Sequence, residues 1–223
     1  MENSILFKTT DLAIGHEGRI LCSDISFEIC KGDCIMLCGA NGSGKTTLMK
    51  TILNHSSIED EMIMIPARIP KIAGFTLKEF VRLSCFTRSD MAGRLSPAQE
   101  IELNKAIDEL GLSHLADRDI STLSDGEFQK SGIASALIRK ASIIMLDEPT
   151  AFLDAQNRIS ILNTLKEISG DGDRPAVIFS THDLHDGQVV CNRVFAIGAD
   201  GSFYTNAENT PESKSETISK IFR

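Results

Sequence analysis

Apolar positions along this chain fall into runs with two different periods. Ile25-Ser26-Phe27-Glu28-Ile29 alternates, which predicts a strand with one covered face. Cys34-Ile35-Met36-Leu37-Cys38 is uninterrupted and bounded by Gly32 and Gly39, which predicts a strand buried on both faces. Met62-Ile63-Met64-Ile65 repeats that character until Pro66 ends it, and so do Ile143–Leu146, Ala176–Phe179 and Val194–Ile197. Ile5-Leu6-Phe7 reads as a short strand, and helices are expected over Thr46–Leu53, 125–139 and 155–168. Buried strands alternating with helices predict an α/β fold with a largely parallel sheet.

Between Ala73 and about Thr122 the strand pattern gives way to helical spacing. Thr76 caps a stretch carrying Leu77, Phe80 and Val81. Ser96-Pro97 is a cap followed by a first-turn proline, with Glu100 strengthening the start. Ile101, Leu103, Ile107 and Leu110 carry that helix to Gly111. The expectation is a helical insertion between two halves of the core. The polar stretch 206–217 reads as a loop leading into a short last helix.

Composition narrows the class. A length of 223 residues suits one well-buried core with an inserted subdomain. A net charge of −8 argues against a surface built to coat nucleic acid, so no nucleic-acid partner is expected. No apolar run approaches the roughly 20 residues that span a bilayer, and Met1-Glu2-Asn3-Ser4 lacks the layout of a secretion signal. A cytoplasmic location is expected. Cys30, Cys34 and Cys38 are evenly spaced, but they fall around a turn and along a strand. Ordinary buried thiols are the better reading of all six cysteines.

The chemistry sits in four places. Gly39-Ala40-Asn41-Gly42-Ser43-Gly44-Lys45-Thr46 fits the P-loop pattern, and it follows a buried strand and opens a helix, as that pattern requires. Gly39, Asn41, Gly42, Ser43, Gly44, Lys45, Thr46 and Thr47 are therefore the candidate ATP-binding residues. Lys45 is expected on the β- and γ-phosphates, and Thr46 on Mg2+. Asp147-Glu148 closes an apolar strand, where α/β sheets place their chemistry. Asp147 is the second candidate Mg2+ residue, and Glu148 the candidate general base for an attacking water. His182 emerges just beyond the strand Ala176–Ser180, placed to meet a γ-phosphate. The His182/His185 spacing lacks a third ligand, so a metal-only site is rejected. Finally, Leu123-Ser124-Asp125-Gly126-Glu127 opens a predicted helix, a second phosphate-handling motif in a chain that already has one. That pairing predicts an ATP-driven dimer.

Gly39–Thr46, Leu123–Glu127, Ile143–Glu148, Ala151-Phe152-Leu153-Asp154 and His182 occur in the order found in ATP-binding cassette (ABC) ATPases, and the resemblance covers essentially the whole chain. It implies a P-loop NTPase core with a mostly parallel sheet, an N-terminal antiparallel β subdomain and an inserted helical subdomain. Residues 1–72 and 126–223 would form the core, and 73–125 the helical subdomain with the signature. It also implies a homodimeric ATP sandwich in which Ser124 and the Gly126 N–H complete the partner's site, with Asp154 coupling the two. Leu123–Lys130, Asp147–Asp154, Thr76–Val81 and Gly93-Arg94-Leu95-Ser96 look most like the ATPases of iron-siderophore, haem and cobalamin importers. The implied partners are integral membrane permease subunits and a substrate-binding protein, with the chain peripheral on the inner face of the membrane. The permease is expected to dock on Gly74–Cys85 and the Ala67 loop.

Three positions depart from the family pattern. Asp125 replaces the first glycine of the signature, and its carboxylate should face away from phosphate. His16 stands where an aromatic ring normally stacks on adenine; it is either that platform or a solvated turn residue. Ala67 falls where a glutamine usually touches Mg2+, and alanine offers no oxygen. Two other functions stay open at this point: a permease-independent scaffold or assembly factor, and a regulatory subunit that barely hydrolyses ATP.

Overall fold

The computed structural model describes residues 4–16, 18–55, 62–85, 95–170 and 172–222. Of the segments singled out above, Met1–Asn3 and Gly93-Arg94 lie outside these residues.

The chain opens with β1 (Ile5–His16) and β2 (Arg19–Cys30), an antiparallel pair forming its own two-stranded sheet. β1 is far longer than the Ile5–Phe7 run. Register shifts, one of them between Thr9 and Leu12, scramble its alternation, and Asp11 sits at φ 51° with its N–H on the Ser26 hydroxyl. A bulged strand does not keep the period of two that makes a strand legible.

β3 (Cys34–Gly39) follows, with all six residues buried, and α1 (Lys45–His55) leads to β4 (Met62–Ile65). Next come α2 (Leu77–Arg82) and α3 (Pro97–Glu109), both with capping boxes. In α3 the reciprocal partner of Ser96 is Gln99, not Glu100. The Glu100 carboxylate instead meets Lys78 on α2 at 2.7 Å, so it ties two helices together. α4 (Asp125–Ile138), β5 (Ile143–Leu146), α5 (Ala155–Ile168) and β6 (Ala176–Ser180) match their expected positions.

The last quarter holds more structure than its pattern announces. α6 (Leu184–Val190) precedes β7 (Arg193–Ile197), and β8 (Phe203–Thr205) adds an antiparallel edge before α7 (Pro211–Ser219). α7 therefore begins inside the stretch read as loop. Lys214 on α7 is buried, and its ammonium donates to the carbonyls of Gln188 (2.9 Å) and Cys191 (3.0 Å) at the end of α6. A cation is favourable at that end of a helix.

The six-stranded sheet runs β4-β5-β6-β3-β7-β8, parallel except for the last pair. Side chains on a strand alternate between faces, so β3 divides its residues. Cys34, Met36 and Cys38 join the core that includes Leu77, Leu103, Phe128 and Phe179. Ile35 and Leu37 join the core with Leu48, Met145 and Phe195. Phe27 on β2 lies 4.7 Å from Phe195 and 5.7 Å from Phe203 between ring centroids, which fastens the small sheet to the large one. Parallel strands bring the carboxyl ends of β3, β5 and β6 side by side. That edge carries the acidic pair and the glycine-rich loop.

Candidate functional site

Gly39 ends β3 at φ 154°, and a Cβ there would lie 2.7 Å from the Ser43 hydroxyl and 2.8 Å from the Ile197 carbonyl. Only glycine fits so close an approach. The loop then turns, with Ser43 N–H donating to Ala40 O, and α1 starts at Lys45. Lys45 is buried, and its ammonium donates to the carbonyls of Gly39 (2.9 Å) and Ala40 (3.2 Å). Burial pulls its pKa below the usual lysine value, while Glu148 and Asp147 pull the other way. The Ser43 hydroxyl is buried and has no hydrogen-bond partner among the described residues. A buried, unmatched hydroxyl is costly unless a ligand meets it.

The acidic pair is held from both sides. Thr46 Oγ1 donates to Asp147 Oδ2 at 2.8 Å, and Ser180 Oγ donates to Asp147 Oδ1 at 2.8 Å. The same Ser180 oxygen accepts the Glu148 N–H at 2.8 Å. Glu148 adopts φ 51°, an uncommon angle for a residue with a side chain. His182 Nε2 lies 2.7 Å from Glu148 Oε1. A carboxylate only accepts, so the proton of that contact sits on Nε2. Thr46, Asp147, Ser180, Glu148 and His182 thus form one hydrogen-bonded chain beside the P-loop.

An open cleft of about 610 Å³ spans this region. It is lined by the P-loop residues Asn41, Gly42 and Gly44–Thr47, by Asp147 and Glu148, and by His16, Arg19 and Leu21 of the hairpin. Arg19 and Ser180 were not foreseen. The hairpin register sets Arg19 opposite His16, and Gly18 between two strand-like runs was the available signal for it. Ser180 announced itself only as a polar residue closing an apolar strand; it is fully buried.

Ser124, Gly126 and Asp154 are not brought to this cleft. Ser124 caps α4 in a reciprocal box with Glu127: its N–H donates to Glu127 Oε2 at 2.8 Å, and its hydroxyl accepts the Glu127 N–H. Burial raises the Glu127 carboxyl, but the bonds from Ser124 outweigh that and hold it below the usual range. Gly126 packs on α5, where a Cβ would meet Asn157 at 3.2–3.4 Å. Asp154 caps α5, accepting from the Asn157 N–H (2.8 Å) and Nδ2 (2.9 Å), so its carboxylate is engaged within its own helix.

Asp125 turns its carboxylate to Lys71, 2.7 Å away, and the same ammonium donates to Leu123 O at 2.7 Å. Lys71, Asp125 and Ala67 line a separate cavity of about 570 Å³. All six cysteines are free thiols. Burial pushes Cys34 and Cys38 up to about 12 and Cys191 up to about 11, so they stay protonated at neutral pH. Among the described residues no cluster of metal ligands occurs, and no helix is long and apolar enough to cross a membrane.

Comparison with known proteins agrees with the motifs. The family described as ABC transporter matches residues 22–151. The chain is similar to the Iron(3+)-hydroxamate import ATP-binding protein FhuC of Bacillus subtilis, 29% identical over 79% of this chain and 73% of that protein. It is also similar to the Zinc import ATP-binding protein ZnuC of Agrobacterium fabrum, 30% identical over 82% of this chain and 61% of that protein. Among solved structures, a nucleotide-free ATP-binding cassette from an ABC transporter superposes with a TM-score of 0.83 at 17% identity, covering 98% of this chain and 99% of that one. At that identity the likeness speaks for the fold alone. With a P-loop, an acidic strand end and a matched family pattern over more than half its length, the chain belongs to the ABC transporter family and is an ATP-binding ATPase of it.

Proposed function

We propose that this chain hydrolyses ATP to drive a membrane importer, with iron-siderophore, haem or cobalamin-type cargo. The observation that carries the enzymatic part is the buried, unmatched Ser43 hydroxyl beside the Gly39 turn, next to an ordered acid–serine–histidine chain. That hydroxyl, the Gly39–Gly44 backbone and Lys45 would take the β- and γ-phosphates. His16 and Arg19 would flank the base.

Thr46 and Asp147 offer two hard oxygen donors already 2.8 Å apart, a donor set that suits Mg2+. The ion would neutralise charge on the phosphates. Glu148 would take a proton from the attacking water while His182 holds its carboxylate in place. Ser180 fixes both acids at once: it orients the Asp147 carboxylate and anchors the Glu148 backbone at its unusual angle. Ala67 adds no side-chain oxygen, so the side-chain ligand expected there is replaced by water.

Ser124 and the N-terminus of α4 stand apart from their own chain's cleft, which supports a homodimer in which they serve the partner's triphosphate. We read residues 73–125 as the inserted helical subdomain on a core of 1–72 and 126–223. The ends of the insertion meet, with Leu77 N–H on Arg118 O and Ile120 N–H on Phe75 O, both at 2.9 Å. Exposed Phe75 and Leu83 lie on the segment expected to receive a permease at the inner membrane face. A substrate-binding protein completes the system by likeness to the importer subgroup.

Glu148→Gln is the decisive test. ATP should still bind, phosphate release should fall by a factor on the order of 100 to 10,000, and an ATP-dependent dimer should accumulate in sedimentation. Undiminished phosphate release would remove Glu148 from its role. Co-purification with a multi-span permease separates the importer from a scaffold acting alone.

A further inference from the structure

Loop 66–71 has no side-chain oxygen at Ala67, yet it carries two cations with defined contacts. Lys71 Nζ donates to Leu123 O and to Asp125 Oδ1, each at 2.7 Å, and lies 5.7 Å from the Phe128 ring centroid. Arg68 stacks over Phe152, 4.2 Å from its centroid, in the turn that follows Glu148. One loop therefore touches both the start of α4 and the segment beyond the acidic pair.

The contact at Lys71 is unusual on electrostatic grounds. The start of a helix carries partial positive charge, so the dipole does not attract an ammonium there. What holds it is the Asp125 carboxylate, the Leu123 carbonyl and the face of Phe128. Asp125 in turn suits the helix dipole but opposes any phosphate that approaches the same N–H groups. Pairing the two charges cancels that opposition. The Lys71 side chain is 24% exposed and that of Asp125 65%, so the ammonium is the inner, better anchored partner.

Resting on the ATP sandwich proposed above, the geometry points to Lys71 as a positioning residue for trans recognition of phosphate. It neutralises Asp125 and turns that carboxylate toward loop 66–71, which keeps a signature with Asp in place of glycine compatible with a partner's triphosphate. The substitution at 125 and the lysine at 71 then form one functional unit.

The test is a mutant cycle in the Glu148→Gln background, reading the ATP concentration at half-maximal dimer by sedimentation. Lys71→Met should raise that concentration about tenfold, and Lys71→Arg should restore most of it. With Asp125→Gly present, Lys71→Met should have almost no effect, because the charge it balances is gone. An equal penalty in both backgrounds overturns the assignment. Should the Glu148→Gln parent stay monomeric at saturating ATP, the sandwich itself fails, and amide hydrogen exchange of the nucleotide-free protein decides the role of Lys71. Faster exchange at residues 124–130 in Lys71→Met, restored by Lys71→Arg, upholds positioning; unchanged exchange overturns it.

Discussion

The P-loop cleft and the start of α4 are ordered by different means. In the cleft, order comes from residues distant in sequence: the Thr46–Asp147 bond links positions 101 apart, and the Ser180–Glu148 bond positions 32 apart. Its key groups are covered, with Lys45 7% exposed and Ser180 fully buried. At the signature the helix cap is local, and one distant residue, Lys71, reaches it from 54 positions away. Ser124 and Glu127 bond across three positions, and the Asp125 side chain stays open to solvent. A site assembled from remote strands exists only when the sheet is formed; a capped helix end keeps its shape with far less support. The cleft draws its lining from β1, β2, the P-loop and the end of β5, whereas Ser124 and Asp125 at the start of α4 are exposed.

Substitutions should hit these two regions unequally. The largest effect is expected in the cleft. Lys45→Ala removes its buried cation, and ATP affinity should fall about tenfold to a hundredfold, as for a lost charge-assisted hydrogen bond; equilibrium titration with a fluorescent ATP analogue measures it. Unchanged affinity would mean that the ammonium never leaves the Gly39 and Ala40 carbonyls for phosphate. Next comes Ser180→Ala, which strands Asp147 Oδ1 and the Glu148 N–H in a covered site. A loss of about 1–3 kcal/mol in urea unfolding is expected, together with slower turnover, and an unchanged midpoint would refute the bridging role.

The smallest effect belongs to the signature. Glu127 has a depressed carboxyl in the folded state, so its contribution is complete above the ordinary carboxylate value and fades as pH falls through the lower folded value. Glu127→Gln keeps an acceptor for Ser124 but does not titrate. Acid unfolding of that variant should be slightly less steep than that of the parent, and an identical profile would count against the capping box as its cause.

What the sequence disclosed follows from the same division. The P-loop, Asp147-Glu148 and the capping residues Thr76 and Ser96 are contiguous patterns, and each occupies the element expected of it. Uninterrupted apolar runs located β3 to β7 because a strand covered on both faces has no polar positions to confuse the reading. β8 escaped notice because Phe203-Tyr204-Thr205 is too short to show a period and depends on pairing with β7. α6 did so because its seven residues mix Asp, Gly and Gln with two valines. Arg19, Ser180, Asn157 and Lys71 share a deeper reason. Ser180 and Lys71 matter through partners brought near by tertiary structure, Arg19 and Asn157 through a turn and a cap as well as the surfaces packed on them, and none stands in a motif.

Lys214 gives the end of the chain an unexpected reach. Its buried ammonium closes the carbonyl end of α6, whose other end begins two residues after His182. Cutting the polypeptide before α7 would uncap that short helix and withdraw a strut from the segment bearing the histidine. Tags or truncations near residue 210 should therefore be judged by how well His182 still meets Glu148, as though they were changes in the reaction centre itself.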